Sequence, residues 1–249
     1  MSRKTISLLV LGGLVGGITF ILTYMSTGAP LPGPARAATA AHRVRPGLER
    51  DLKAKGLELG APVFLRAFKE EMKLEVFVEN PNTKSFELFR SYPVARASGT
   101  LGPKLAEGDG QVPEGFYFVP RSAMKPDSRY HLAFNLGYPN EFDRALGRTG
   151  SAIMVHGNRV SAGCLAMTDP KIEEIYTLCD AALKNGQPYF RVHVFPFRMT
   201  DQRMKQAAEK HPDHLPFWRN LKEGHDWFEK HKRPPEVGVA DGTYTFRAG

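Results

Sequence analysis

Between residues 151 and 186 the chain reads strand, loop, helix, and that order constrains the middle of the molecule more than any other stretch. Ser151-Ala152-Ile153-Met154-Val155 is a short apolar run that suits a buried strand. His156 follows at its end, where side chains emerge into a cleft. Further on, Thr168 and Asp169 offer N-cap oxygens and Pro170 fits the first helical position. Ile172, Ile175, Tyr176, Cys179 and Leu183 then recur at helical spacing until Gly186. The loop between, His156 to Cys164, carries an imidazole and a thiol.

A thiol attacks only as thiolate, and a neighbouring imidazole can take its proton, so Cys164 and His156 together supply a nucleophile and a base for acyl transfer. Gly157 and Gly163 flank the pair, where a residue without Cβ permits a tight turn and a close substrate approach. Cys164 lies several residues before the helix, and the helix dipole fades within about one turn, so activation falls mainly to His156. The backbone N–H groups of Gly163 and Cys164 are the expected donors to a developing oxyanion. Ser161 is expected to orient the loop, with a plain turn hydroxyl as the alternative.

The chain has only two cysteines, which narrows the choice. A disulfide between Cys164 and Cys179 is the non-catalytic alternative in an oxidising compartment. Cys179, however, falls on the apolar face of its helix, where a free cysteine behaves as a small hydrophobe, while Cys164 sits in a glycine-bearing loop. Neither a Cys-x-x-Cys pair nor a cluster of ligands suggests zinc, so no metal and no cofactor is expected. A papain-like protease places its cysteine long before its histidine, the reverse of the order here.

The motif resembles the L,D-transpeptidase (YkuD-type) catalytic domain of bacterial cell-wall enzymes, in which a His-Gly precedes Ser-His-Gly-Cys; here the latter reads Ser161-Ala162-Gly163-Cys164. The family's second histidine is Ala162 in this chain, and the arginine common two residues after the cysteine is Ala166. The YafK-like branch is closer, with a short His-to-Cys loop and Gly163-Cys164-Leu165-Ala166-Met167-Thr168. Pro113-Glu114-Gly115, Tyr130-His131-Leu132, Tyr138-Pro139-Asn140 and Gly147-Arg148-Thr149-Gly150 extend the likeness over roughly residues 48 to 198. The resemblance implies a mainly β fold, a YkuD-like sandwich or barrel with peripheral helices. It also implies that Cys164 forms a thioester with a peptidoglycan stem peptide while His156 accepts and returns the proton.

The amino-terminal segment suggests export, with the basic residues before it keeping the amino end in the cytoplasm and everything after Met25 expected outside. Arg3 and Lys4 precede a charge-free apolar run from Ile6 to Met25, followed by a Pro/Gly/Ala-rich stretch. That run is about one bilayer crossing at roughly 1.5 Å per residue. We therefore expect residues 1–25 to be an uncleaved signal anchor in the inner membrane, or else a signal peptide cut near Ala35-Arg36-Ala37. Either places the rest in the periplasm. The further divisions expected are a linker over 26–41, a catalytic domain over 42–198 and a helical extension over 199–249. The glycine pairs Gly12/Gly16 and Gly13/Gly17 have a spacing that lets membrane helices approach, although a lone anchor needs no such role.

The formal charge of +8 is a mild bias: without Arg3, Lys4 and Arg36 there remain 31 basic against 26 acidic residues. No basic run interleaved with aromatics suggests a nucleic-acid groove, so no nucleic-acid partner is expected. An anionic envelope suits the charge better, as does a merely solvated surface.

Strands are expected over 62–69, 73–79, 85–92, 116–119, 131–136, 152–155 and 189–195, with a turn at Asn80-Pro81-Asn82-Thr83. Helices are expected over 48–55, 200–210 and 216–231, the last stopped by Arg233-Pro234-Pro235 before a short tail. Alternation with Val192 and Val194 puts His193 on the opposite face of its strand, read as solvent-facing. The histidines at 211, 214, 225 and 231 are read as a solvated helical surface. A stem-peptide carboxylate calls for a guanidinium fork. Arg159 is the first candidate, then Arg148 and Arg121, and on the family likeness His131 joins the substrate side.

The expected activity is therefore a cell-wall cysteine acyltransferase acting on peptidoglycan stem peptides, with a wall-linked lipoprotein as a possible acyl acceptor. Two alternatives stay open: a hydrolase or amidase that cuts such links, including those between protein and peptidoglycan, and a non-catalytic peptidoglycan-binding protein.

Overall fold

A computed structural model describes residues 33–249. The expected anchor and the start of the linker lie outside the described residues; among these, no helix is long and apolar enough to cross a membrane. The first helix, α1 (Gly33–Lys53), already begins inside the stretch read as linker. It is held down by Ala40, Leu48 and Leu52, all buried.

Two five-stranded sheets follow. The longer has the order β3-β2-β1-β10-β5, made of β1 (Val63–Phe68), β2 (Lys73–Glu79), β3 (Phe86–Pro93), β5 (Gly115–Pro120) and β10 (Tyr189–Phe195). The shorter has the order β4-β9-β8-β7-β6, made of β4 (Arg96–Ala97), β6 (Met124–Lys125), β7 (Ala133–Asn135), β8 (Met154–His156) and β9 (Leu165–Ala166). Their apolar faces meet in one core. Val63, Leu65, Val76, Val192 and Val194 from the long sheet pack in the same cluster as Phe134, Val155 and Leu165 from the short one. Helix α3 (Asp169–Lys184) closes that core with Ile172, Ile175, Leu178, Cys179 and Ala182. Its expected side-chain cap is absent. Thr168 sits at the N-cap without a capping bond, and the Asp169 carboxylate instead accepts the Asn158 N–H at 2.7 Å.

The expectation of a mainly β molecule needs correcting, because helices cover both flanks of the sheets. Besides α1, the short α2 (Glu141–Ala145) and α3, the chain forms α4 (Asp201–Lys210) and α5 (Leu215–His231). The last two cover the outer face of the long sheet. Phe68, Phe116, Phe195, Phe197 and Trp218 form a second cluster there, and Phe64, Phe77 and Phe228 a third. The residue assigned to solvent in the sequence, His193, is consequently 1% exposed. Its strand alternation was read correctly, but the face opposite the valines is roofed by α5 rather than by water. The ring stands edge-on to Phe64 and Phe116 at 4.6 and 4.7 Å. His225 of α5, also read as solvated, is buried against Phe68 and Phe195 at 6.3 and 5.3 Å.

Instead of a short tail, the chain ends in a hairpin of β11 (Glu236–Ala240) and β12 (Thr243–Arg247). Asp241 and Gly242 both have positive φ, at 50° and 71°, and an Asp-Gly pair between alternating apolar residues is the sequence signal for such a turn. The hairpin contributes Tyr244 to the second cluster.

Candidate active site

Register in the short sheet decides which side chains meet. Val155 pairs with Leu165 and His156 with Ala166, in parallel. Opposite residues share a face, as do residues two apart along a strand. Val155 and Leu165 point into the core. His156 and Cys164 therefore share the other face of the β8–β9 pair, with the Cys164 sulfur lying against the backbone of Met154, two residues before His156. The two cysteines are both free, Cys164 half-buried and Cys179 fully buried in α3. No disulfide joins them.

His156 is 1% exposed, and its Nδ1 lies 2.5 Å from the Gly157 carbonyl oxygen. A carbonyl only accepts, so the proton sits on Nδ1 and the Nε2 lone pair is left as the basic site. Burial lowers the imidazole below its ordinary range, against the opposing pull of that hydrogen bond. Tyr130 lies over the ring at 4.7 Å between centroids and is 38% exposed, making it the outer wall of the imidazole. The sequence held no signal for that contact beyond the Tyr-His-Leu triplet itself.

The Cys164 thiol faces the Ala152 carbonyl at 3.7 Å, and its sulfur accepts the Met154 N–H at 3.4 Å. Burial raises its pKa, while the Met154 N–H and the charge of Lys104 pull it down. Burial thus disfavours the charged form of each group, the thiolate of Cys164 and the imidazolium of His156.

The cysteine loop is pinned by two serines. Ser161 Oγ donates to the Cys164 carbonyl at 2.7 Å and accepts the Cys164 N–H at 3.2 Å. Ser98 Oγ, which donates to the Gly110 carbonyl at 2.7 Å, accepts the Gly163 N–H at 2.6 Å. The two N–H groups expected to serve the oxyanion are therefore already occupied, because each hydroxyl is held by its own second bond. Ser98 was missed in the sequence, since only the pairing of β4 with β9 brings it here. Gly163 has φ of 91°, and Gly157 has no room for a Cβ, which would come within 2.6 Å of the Asp169 carboxylate and 2.7 Å of the Tyr130 carbonyl. Around this site His131, Ala152, Asn158 and Thr168 all hold positive φ, a concentration of unfavourable backbone typical of functional sites.

The proposed substrate-side residues separate. Arg159 is exposed in the loop, and its side chain has no partner among the described residues. Arg148 is committed elsewhere: it pairs with buried Asp143 at 2.9 Å and lies over Phe142 and Phe217. Arg121 stands in a turn before β6, at the far edge of the short sheet from β9. His131 precedes β7 rather than lying in it, and its Nε2 lies 2.7 Å from Glu173, which also takes a two-point contact from Arg43 of α1. Its side chain is held by Glu173 of α3, the carboxylate through which Arg43 also ties α1 to α3.

A mixed sheet places the half-buried Cys164 and the buried His156 on one face. The sequence matches the model of the YkuD L,D-transpeptidase catalytic domain over residues 69–194, and this chain belongs to that family, which acts on peptidoglycan peptides. It is 46% identical over 186 residues to the Escherichia coli protein YafK, named as an L,D-transpeptidase, an alignment covering 75% of this chain and 74% of that one. Among solved structures it overlaps the helical cell shape determining protein Pgp2 of Campylobacter jejuni with a TM-score of 0.43 and 18% identity, covering 78% of this chain and 80% of that one. Bd1075 of Bdellovibrio bacteriovorus overlaps with a TM-score of 0.38 and 24% identity, over 69% and 61% of the respective chains.

Proposed function

We propose that this chain is a cysteine acyltransferase of peptidoglycan stem peptides, with Cys164 as nucleophile and His156 as general base. The observation that carries this reading is the shared face of the β8–β9 pair, with the Nε2 lone pair of His156 free and the Cys164 sulfur half-buried rather than sealed. As the sulfur attacks the carbonyl of the L,D bond beside a diaminopimelate centre, Nε2 takes the thiol proton. The C–S bond forms, the C–N bond breaks, and the proton passes to the leaving amine. The thioester is then resolved by an amine, giving a cross-link or a wall-attached protein, or by water, giving a hydrolase. Ser161 and Ser98 hold the nucleophile's loop, Gly157 and Gly163 give it its path, and Arg159 is available to an anionic substrate group. The site works in the periplasm in this proposal, a reading that rests on the apolar residues 6–25.

The test is purified peptidoglycan fragments incubated with the native protein and with Cys164→Ala, with and without an added amine. Mass spectrometry should show a thioester on Cys164 and altered muropeptides, both lost in the variant. Retained muropeptide changes in Cys164→Ala would exclude thiol chemistry, and fragments bound but left unchanged by the native protein would leave a binding protein. Amine incorporation marks transfer; its absence beside continued cleavage marks hydrolysis.

A further inference from the structure

Arg96 stands on β4, which flanks β9 on the side away from His156. It pairs directly with Ala166 across the β4–β9 pair, and Ala166 pairs directly with His156 across β9–β8. The three residues form one row. The neighbouring pair, Ala97 with Leu165, packs on the core, so Arg96, Ala166 and His156 all project from the outer face. Cys164, two residues before Ala166, lies diagonal to both His156 and Arg96. Such diagonals are roughly 7–8 Å, within reach of a long side chain. Ala166 contributes only a methyl group between the two.

Arg96 is exposed, and its side chain makes no hydrogen bond, ion pair or ring contact among the described residues. Arg159, in the loop between β8 and β9, is likewise without a side-chain partner among the described residues, whereas several other cations near the sheet are committed. Lys104 donates to the Ala106 carbonyl at 2.8 Å and to Asp109 at 2.5 Å, Arg148 is paired with Asp143, and Arg43 with Glu173. Arg36 donates to the carbonyls of Ser128 and His131 at 2.8 and 2.6 Å. A guanidinium presents a planar fork that takes a carboxylate through two parallel bonds. On the acyltransferase reading, the residue released from the scissile L,D bond ends in a carboxylate one residue from the attacked carbonyl.

We propose that Arg96 is the substrate-recognition residue that binds this terminal carboxylate, setting the scissile carbonyl over Cys164. The proposal rests on the acyltransferase reading but fails separately from it. The measurement compares a stem tetrapeptide carrying a free terminal carboxylate with the same peptide amidated at its end, using native protein, Arg96→Ala and Arg96→Lys. Amidation should raise the KM of the native protein about tenfold to a hundredfold, the range for a charge-assisted hydrogen bond. Arg96→Ala should show the same rise on the free acid and no further rise on the amide, and Arg96→Lys should recover part of it. Alkylation of Cys164 by iodoacetamide should stay within about twofold in both variants, because Arg96 does not hold the cysteine loop.

Equal losses on acid and amide, or no loss on either, would overturn the role of Arg96 while leaving the acyltransferase reading intact. A native protein inert toward both peptides would sink the acyltransferase reading instead. The affinities of Cys164→Ala and Cys164→Ala/Arg96→Ala for the two peptides then decide the carboxylate contact without turnover, and equal affinities would reject it.

Discussion

The long sheet and the short sheet use the same hydrogen-bond ladder for opposite purposes. Strands of the long sheet run 6 to 8 residues, and all but the edge strand β3 are largely buried on both faces, by the shared core on one side and the aromatic layer under α5 on the other. Strands of the short sheet run 2 to 3 residues, with one face on the core and the other carrying His156, Cys164 and Arg96. Strands that short cannot hold a register alone. They borrow rigidity from the long sheet, partly through the segment after β4: Glu114, fully buried, accepts from Trp218 Nε1 at 2.7 Å, from Lys69 at 2.9 Å and from the Gly102 N–H at 2.7 Å. The same segment carries Ser98, which holds Gly163. A platform buried twice over permits a site that is half open.

The long sheet is most vulnerable at its aromatic layer. Trp218→Ala should cost about 3–5 kcal/mol, the usual range for emptying a large buried ring site, because it also orphans a Glu114 oxygen; thermal or urea unfolding reads this. A cost below about 1 kcal/mol would show that the carboxyl-terminal helices merely lie on the sheet.

Acid should attack the same layer. Burial holds His193 well below its ordinary 6.5, helped by the cations Arg191 and Arg66, and burial lowers His225 too, although Asp226 opposes it. Below pH 6.5 the unfolded chain takes up protons that the folded one refuses, so stability is full above that pH and falls as the pH drops beneath it. Unfolding midpoints measured from pH 7.5 to 5 should decline, and His193→Phe should flatten the decline. An unchanged slope would move the acid sensitivity elsewhere.

On the short sheet the effects are smaller in stability and larger in function. Ser98→Ala leaves the Gly163 N–H without its acceptor, for about 1 kcal/mol of stability and about a tenfold fall in turnover, which is 1.4 kcal/mol on the barrier. Turnover equal to the native protein would remove Ser98 from the support of the cysteine loop. The smallest effect belongs to Cys179→Ala. It should cost about 1 kcal/mol, as a typical core change does, while labelling by iodoacetamide stays at one equivalent on Cys164. Loss of that equivalent would reverse the assignment of the two thiols.

Local patterns told most of the long sheet in advance. Alternating valines and phenylalanines placed β1, β2, β5 and β10 close to where they lie, and the apolar spacing after Pro170 placed α3 with Cys179 on its buried face. The sequence singled out Cys164 and His156 through their motif, and it is the pairing of β8 with β9 that sets them on one face of the short sheet. Alternation says which residues share a face but not what covers that face, and so His193 was read as wet when α5 keeps it dry.

What the sequence by itself determined is the local grammar: the periods of strands and helices, the motif that marks the family, and the histidine and cysteine within it. Tertiary structure alone decided which polar groups were already taken. Arg148 is spent on Asp143, His131 on Glu173, and the N–H groups of Gly163 and Cys164 on two serines. Arg96, far from the motif in sequence, is left beside it by strand register. The physical reason is that hydrogen bonds and ion pairs are settled by atoms a few ångströms apart, and residues distant in sequence are brought to such distances only when the sheets and helices pack.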